Sequence, residues 1–179
     1  DFPYAAGSNG AAAASYNQPS THALAVAVNQ VGTVFGLGYR PATNTIYAGA
    51  FMKKHSGFGS GGTGAIYAIN ATSGATTLFA DLNAIFGAGT AGADPHDTAD
   101  YDRDNGNSSW DAVGKRALGG LEVSPDGAYV FVMNLADRQV YRLPTSGVLD
   151  TTTVQRVPVP LNAPGATGLG GADLRPFAL

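Results

Sequence analysis

Residues 119–143, GGLEVSPDGAYVFVMNLADRQVYRL, constrain the fold more than any other stretch. Leu121-Glu122-Val123 alternates apolar and polar, as a half-buried strand does. Ser124-Pro125-Asp126-Gly127 is a tight turn. Proline presets φ at the second position, and glycine supplies positive φ near the end. The run that follows, Tyr129 to Met133, is continuously apolar and rich in strand formers, which predicts burial on both faces. Asn134 to Arg138 is polar and turn-like, and Gln139 to Leu143 alternates again. Three strands and two turns follow one another with no room for a helix.

The chain writes this unit twice. In the earlier copy Pro41 stands in the place of Pro125. Ile46-Tyr47-Ala48 stands for Val130-Phe131-Val132, and Tyr67 for Tyr141. Both copies then reach a Ser-Gly turn, Ser73-Gly74 and Ser146-Gly147, followed by a threonine-rich fourth strand. Four short antiparallel strands that recur with their turns are the pattern of propeller blades; the alternative is a sandwich, which does not require the order to repeat. The expected fold is all-β and β-propeller-like, with about two four-stranded antiparallel blades plus parts of neighbouring blades.

On this reading residues 1–30 are an Ala/Gly/Ser-rich segment ending in the outer strand of a preceding blade. Residues 31–82 are a blade, 83–118 an acidic insertion, 119–160 a second blade, and 161–179 a connector and the start of a third. Two blades cannot close a propeller, and an open pair leaves strand edges and apolar faces uncovered. The expected partners are therefore other copies of the chain or other segments of a longer parent.

Composition removes several classes of function. A net charge of −3 argues against nucleic acid as the main partner. The absence of cysteine excludes disulfides and thiolate metal sites. No apolar run is long enough for a membrane-spanning helix. The 25 glycines and 10 prolines suit a chain dense in turns.

One stretch carries chemistry. Residues 100–111, DYDRDNGNSSWD, place aspartates at the first, third, fifth and twelfth positions of a twelve-residue loop. This is the spacing with which EF-hand-type loops surround Ca2+ with hard oxygen ligands. Asp100, Asp102, Asp104 and Asp111 would supply carboxylates, and Gly106 at the seventh position a backbone carbonyl. The motif wants its glycine at the sixth position, where Asn105 stands, and a closing Glu where Asp111 stands. Asn tolerates the left-handed conformation. The alternative is a solvated acidic loop.

Other candidates are weaker. Residues 52–64, MKKHSGFGSGGTG, set Lys53, Lys54 and His55 beside a glycine-rich run. Such a run can line an anion site with backbone N–H groups, but it lacks the phosphate-loop order. The alternative is a solvated loop between strands. His96 with Asp94 and Asp97 could take part in a transition-metal site. Glu122 is either a paired carboxylate lining a channel or an exposed strand residue. Ser56 and Ser60 lack a nucleophile-elbow context. Asn70-Ala71-Thr72 and Asn107-Ser108-Ser109 fit the N-glycosylation acceptor pattern.

The stretches VGTVFGLGY, AFMKKHSGFGSGGTGAIYAI and WDAVGKRALGGLEVSPDGAYVFVMNLADRQVYRL together resemble the propeller-like repeat region of large secreted bacterial surface proteins. Many of those also carry adhesin-type repeats of the SdrD B-like kind. The resemblance implies an extracellular or cell-surface location, more blades than two, and no established reaction. It leads to the expectation of a non-catalytic structural or adhesive module, stabilised by calcium, assembling with itself or meeting a surface or matrix ligand. The alternative is a lactonase-like propeller hydrolase with its site at the channel mouth. That would need polar groups converging from successive blades, whereas the acids here concentrate in one insertion.

Overall fold

The computed structural model describes residues 28–96, 107–160 and 176–179. They form two four-stranded antiparallel sheets, each in simple up-and-down order. The first contains β1 (Val34–Arg40), β2 (Thr45–Ala50), β3 (Ala65–Asn70) and β4 (Thr76–Asp81). The second contains β5 (Leu118–Val123), β6 (Tyr129–Asn134), β7 (Gln139–Pro144) and β8 (Gln155–Pro158). Among the described residues α-helix is limited to short pieces: α1 (Val28–Val31), α2 (Leu82–Phe86) and α3 (Asn107–Ala112). The strand expected at residues 22–28 and the Ala/Gly/Ser-rich segment before it lie outside the described residues, apart from Val28 at the start of α1.

The two sheets share one register. Leu37 pairs with Ala48 and Tyr39 with Ile46, while Leu121 pairs with Val132 and Val123 with Val130. Across the next ladder Ala48 pairs with Tyr67 and Val132 with Tyr141. Each first strand also bulges at the same place, between Val34 and Leu37 in one sheet and between Leu118 and Leu121 in the other. Turns of equal length produce this, although the positive-φ residue comes one place later in the first. Gly127 takes φ 70 after Pro125, and Asn44 takes φ 50 at the end of the Pro41–Thr43 turn. The Asp126 carboxylate accepts from the Ala128 amide and the Ser124 hydroxyl, which holds its pKa below the ordinary value, the serine contributing most.

Burial follows from the way the second sheet lies on the first. Leu121, Val130, Val132, Tyr141 and Leu143 point to the first sheet and form one core with Tyr47, Ile66, Ala80 and Leu82. The first strands approach most closely. A Cβ at Gly36 would lie 2.5 Å from the Gly119 carbonyl oxygen and the Leu121 amide nitrogen. At Gly38 it would lie 2.9 Å from Leu121 and Val123 side-chain carbons. A side chain at either position would hold the sheets apart. Residues 176–179 lie against β5, where the Gly120 amide donates to the Phe177 carbonyl at 2.7 Å.

The expectation of burial on both faces of β6 is met at Met133, but Tyr129 and Phe131 are only half-buried on the face away from the first sheet. On the far face of the first sheet, Ala48, Tyr67 and Ile69 are covered by Val31 of α1 and Phe58 of the following loop. Among the described residues no helix is long and apolar enough to cross a membrane.

Candidate functional site

The 52–64 loop and the insertion meet at one end of the sheets. The insertion opens with α2, whose first turn is capped by the Asp81 carboxylate accepting from the Asn83 amide at 2.9 Å. Asn83 then ties three segments together. Its side-chain nitrogen donates to the Thr63 hydroxyl at 3.0 Å, and its oxygen accepts from the Ala91 amide at 2.9 Å. Thr63 in turn donates to the Gly92 carbonyl. From the second sheet the Asn134 side chain donates to the Thr90 carbonyl at 2.9 Å. An Ala/Gly-rich segment without strand pairing is ordered here by side-chain amides that replace the missing ladder.

His96 closes the joint. Its side chain is 3% exposed; Nδ1 lies 2.6 Å from the Asp94 carboxylate and Nε2 lies 3.0 Å from the Lys53 carbonyl. The ring stacks edge-on against Phe58. Both ring nitrogens thus face protein oxygens, and in this geometry neither is left for a transition metal. Asp97 lies outside the described residues. The glycine-rich loop is likewise spent on scaffold contacts. Thr33 donates from its amide to the Gly57 carbonyl and from its hydroxyl to Ser56 Oγ at 2.7 Å, and the Ser60 amide bonds the Gln30 carbonyl. Lys54 lies over the Trp110 ring at 5.2 Å, so this lysine faces an aromatic plane of α3.

Of the proposed calcium ligands, Asp100, Asp102, Asp104 and Gly106 lie outside the described residues. Asp111 is on the exposed side of α3 and pairs with Lys115 one turn later. Among the described residues no three His, Cys, Asp or Glu side chains converge as a metal site. Glu122 is exposed, the ordinary one of its two readings.

A second polar cluster has no warning in the sequence. The Tyr141 hydroxyl donates to Asp137 Oδ2 at 2.5 Å, and Asp137 Oδ1 accepts from the Gln139 amide. Burial pushes the Asp137 carboxyl above its ordinary pKa, with the Tyr141 hydrogen bond opposing. The Tyr141 phenol is raised too, first by burial and then by Asp137. Arg156 of β8 lies nearby over the Phe86 ring at 4.9 Å. This network fastens the 135–138 turn to β7; its carboxylate is used up in bonds to its own sheet.

The described residues also line two shallow clefts. One of about 290 Å³ is lined by Leu78, Phe79, Ile85 and Val148, with Asp81 as its one charged group already capping α2. The other, about 460 Å³, is lined by Tyr129, Arg142, Ser146, Asp150 and Gln155. There Arg142 stacks on Tyr129 at 4.5 Å, and Asp150 accepts from the Thr152 amide and hydroxyl. Neither lining sets a nucleophile against a general base.

The chain is similar to Colossin-D of Dictyostelium discoideum, 33% identical over 168 residues, 92% of this chain and 17% of that protein. It is also similar to two other proteins of that organism. Colossin-A is 28% identical over 129 residues, 72% of this chain and 1% of that protein. Colossin-C is 26% identical over 147 residues, 81% of this chain and 14% of that protein. The chain therefore spans 17% or less of the length of these relatives. No protein-family model matches it, and no solved structure matches it significantly.

These relatives overturn the resemblance to bacterial surface-protein repeats with SdrD B-like neighbours, because they are eukaryotic Colossins. The motifs that carried that resemblance are turn and strand patterns. Any stacked four-stranded sheet needs them, so they mark an architecture and not a lineage.

Proposed function

We propose that the chain is a section of an extracellular, non-catalytic structural module, in which the two sheets are successive blades of a propeller-like array. The observation that carries this reading is the shared register: bulge, turn and buried tyrosine recur at equivalent positions in both sheets. A unit repeated for packing spends its residues on the joint with its neighbour, as Gly36, Gly38, Leu121 and Tyr141 do here. The polar side chains of the loops likewise serve to hold the loops to the sheets.

Calcium fits this role as a stiffener of the insertion. Asp100, Asp102, Asp104 and Asp111 would supply carboxylates, with a carbonyl at Gly106. Asp111 has an outward carboxylate, which would exchange its Lys115 partner for the metal. The bound metal would neutralise the acidic run and hold the two ends of the loop together. Its loops would then present a rigid surface to matrix or cell-surface ligands, or to other segments of the parent polypeptide.

The test is thermal unfolding in calcium and in chelator, for the wild type and an Asp102→Ala/Asp104→Ala double variant. A ligand that binds only the folded state raises Tm, by an amount that grows with the logarithm of its concentration above Kd. The wild type should melt higher in calcium and the variant should not respond. An unchanged wild-type Tm would remove the calcium site. Turnover in an esterase and lactonase screen, lost on replacing described carboxylates, would overturn the non-catalytic reading.

A further inference from the structure

We infer that the far face of β1, presenting Leu37 and Tyr39, is a docking surface for a further four-stranded sheet of the same kind. This inference rests on the repeat reading above and adds which residues make the joint and what the neighbour must carry. Gly36 and Gly38 face the second sheet, so the alternation of a strand turns Leu37 and Tyr39 the other way. By register Leu37 corresponds to Leu121 and Tyr39 to Val123. Leu121 is 2% exposed because the first sheet covers it, whereas Leu37 is 56% and Tyr39 50% exposed. The same positions of the same unit are thus covered in one copy and open in the other.

The joint itself shows what covers such a stripe. Leu121 is received by a strand with no side chain at Gly36 and Gly38. The pattern continues onward, since residues 176–179 lie on β5 in the same manner. A Cβ at Gly120, the register equivalent of Gly36, would lie 2.9 Å from the Leu179 amide nitrogen and 3.0 Å from Ala178 Cα. Each first strand therefore gives a glycine to the strand that follows and a large apolar side chain to the strand before. The occupant of the Leu37–Tyr39 stripe is a sheet of the parent polypeptide whose first strand carries glycine or alanine where β1 carries Gly36 and Gly38. A second copy of this chain is a poor occupant, since both its glycine-bearing strands are already taken, by β5 and by residues 176–179.

The 179 residues hold no cysteine of their own, so a label on a peptide from this stretch reports the introduced site alone, and labelling is read by peptide mass. Leu37→Cys, Tyr39→Cys and Leu121→Cys are made singly, in the 179-residue chain and in the polypeptide as its own cells produce it, and maleimide labelling rates are measured. At position 37 and at position 39 the rate should fall at least about tenfold from the chain to the natural polypeptide, as expected for a face exposed only by local opening. Position 121 should be slow in both. Equal, fast labelling at 37 and 39 in the natural polypeptide overturns the proposal. Slow labelling in the chain alone also overturns it. If the slowing grows with concentration, a second copy is the cover; if it does not, the chain's own residues are. Fast labelling at 121 would instead discredit the joint between the two sheets, and with it the repeat reading.

Discussion

Replacing Gly36 by alanine isolates the contact on which the packing of the two sheets depends. Gly36 is absent from the positive-φ glycines, so alanine is compatible with the backbone and the effect is steric. The new methyl would sit 2.5 Å from the Gly119 oxygen and the Leu121 nitrogen, about 1 Å inside optimal contact. Both atoms are backbone of β5 and cannot rotate away, so the sheets must part. Overpacking of this kind costs about 1–3 kcal/mol, here near the upper end. Alanine recovers about 0.4–1 kcal/mol by restricting the unfolded chain. A net loss of about 2 kcal/mol corresponds to a Tm lower by about 4–8 °C for a chain of this size. Calorimetry with Gly49→Ala as the control decides it, because a Cβ there meets Leu118 at an ordinary 3.5 Å. The control should melt at or slightly above the wild-type temperature. If Gly36→Ala is as stable as the wild type, β1 and β5 do not pack as described.

Leu121→Ala should cost about 2–5 kcal/mol in urea unfolding, since it empties the centre of the joint, whereas Leu37→Ala in the same chain should stay within about 0.5 kcal/mol. The raised pKa of Asp137 means that the folded state binds this proton more readily than the unfolded chain. Its contribution is fully present below the unfolded-state pKa and is lost as pH rises through the raised one. The Tm difference between wild type and Asp137→Asn should therefore fall with rising pH across and just above the carboxylate range; a difference that grows would contradict the sign. Asn70 is exposed beside the β3–β4 turn, where its Oδ1 accepts from the Thr72 and Ser73 amides. The polypeptide recovered from its own cells should carry a glycan there, read by peptide mass after enzymatic deglycosylation, and an unmodified Asn70 would count against an extracellular route.

Much of the fold can be read from local signals. Pro41 and Pro125, and Tyr67 and Tyr141, fall at register-equivalent positions, as the repeated unit implies. Turn chemistry and alternation are properties of a few adjacent residues, so they survive without tertiary information. The glycines of VFGLGY are different. Nothing in the sequence assigns them a role, and only the backbone of β5 lying against them gives them one. His96 is a similar case, because its partners Lys53 and Phe58 are remote in the chain and come from a loop with no pattern linking it to the insertion. The Asp137–Tyr141 bond is local, but a Tyr four residues after an Asp on a turn is too common to single out. Lineage is not legible in these motifs, because turns and alternation mark an architecture and carry no ancestry of their own.

The most direct test of the central claim is electron cryomicroscopy of the polypeptide recovered from its own cells, at a resolution that traces strands. The account predicts four-stranded sheets following one another around a common axis, each first strand resting on the glycine-bearing strand before it, with Leu37 and Tyr39 covered by a sheet. Two sheets standing alone, or a Leu37–Tyr39 stripe open to solvent, would contradict it.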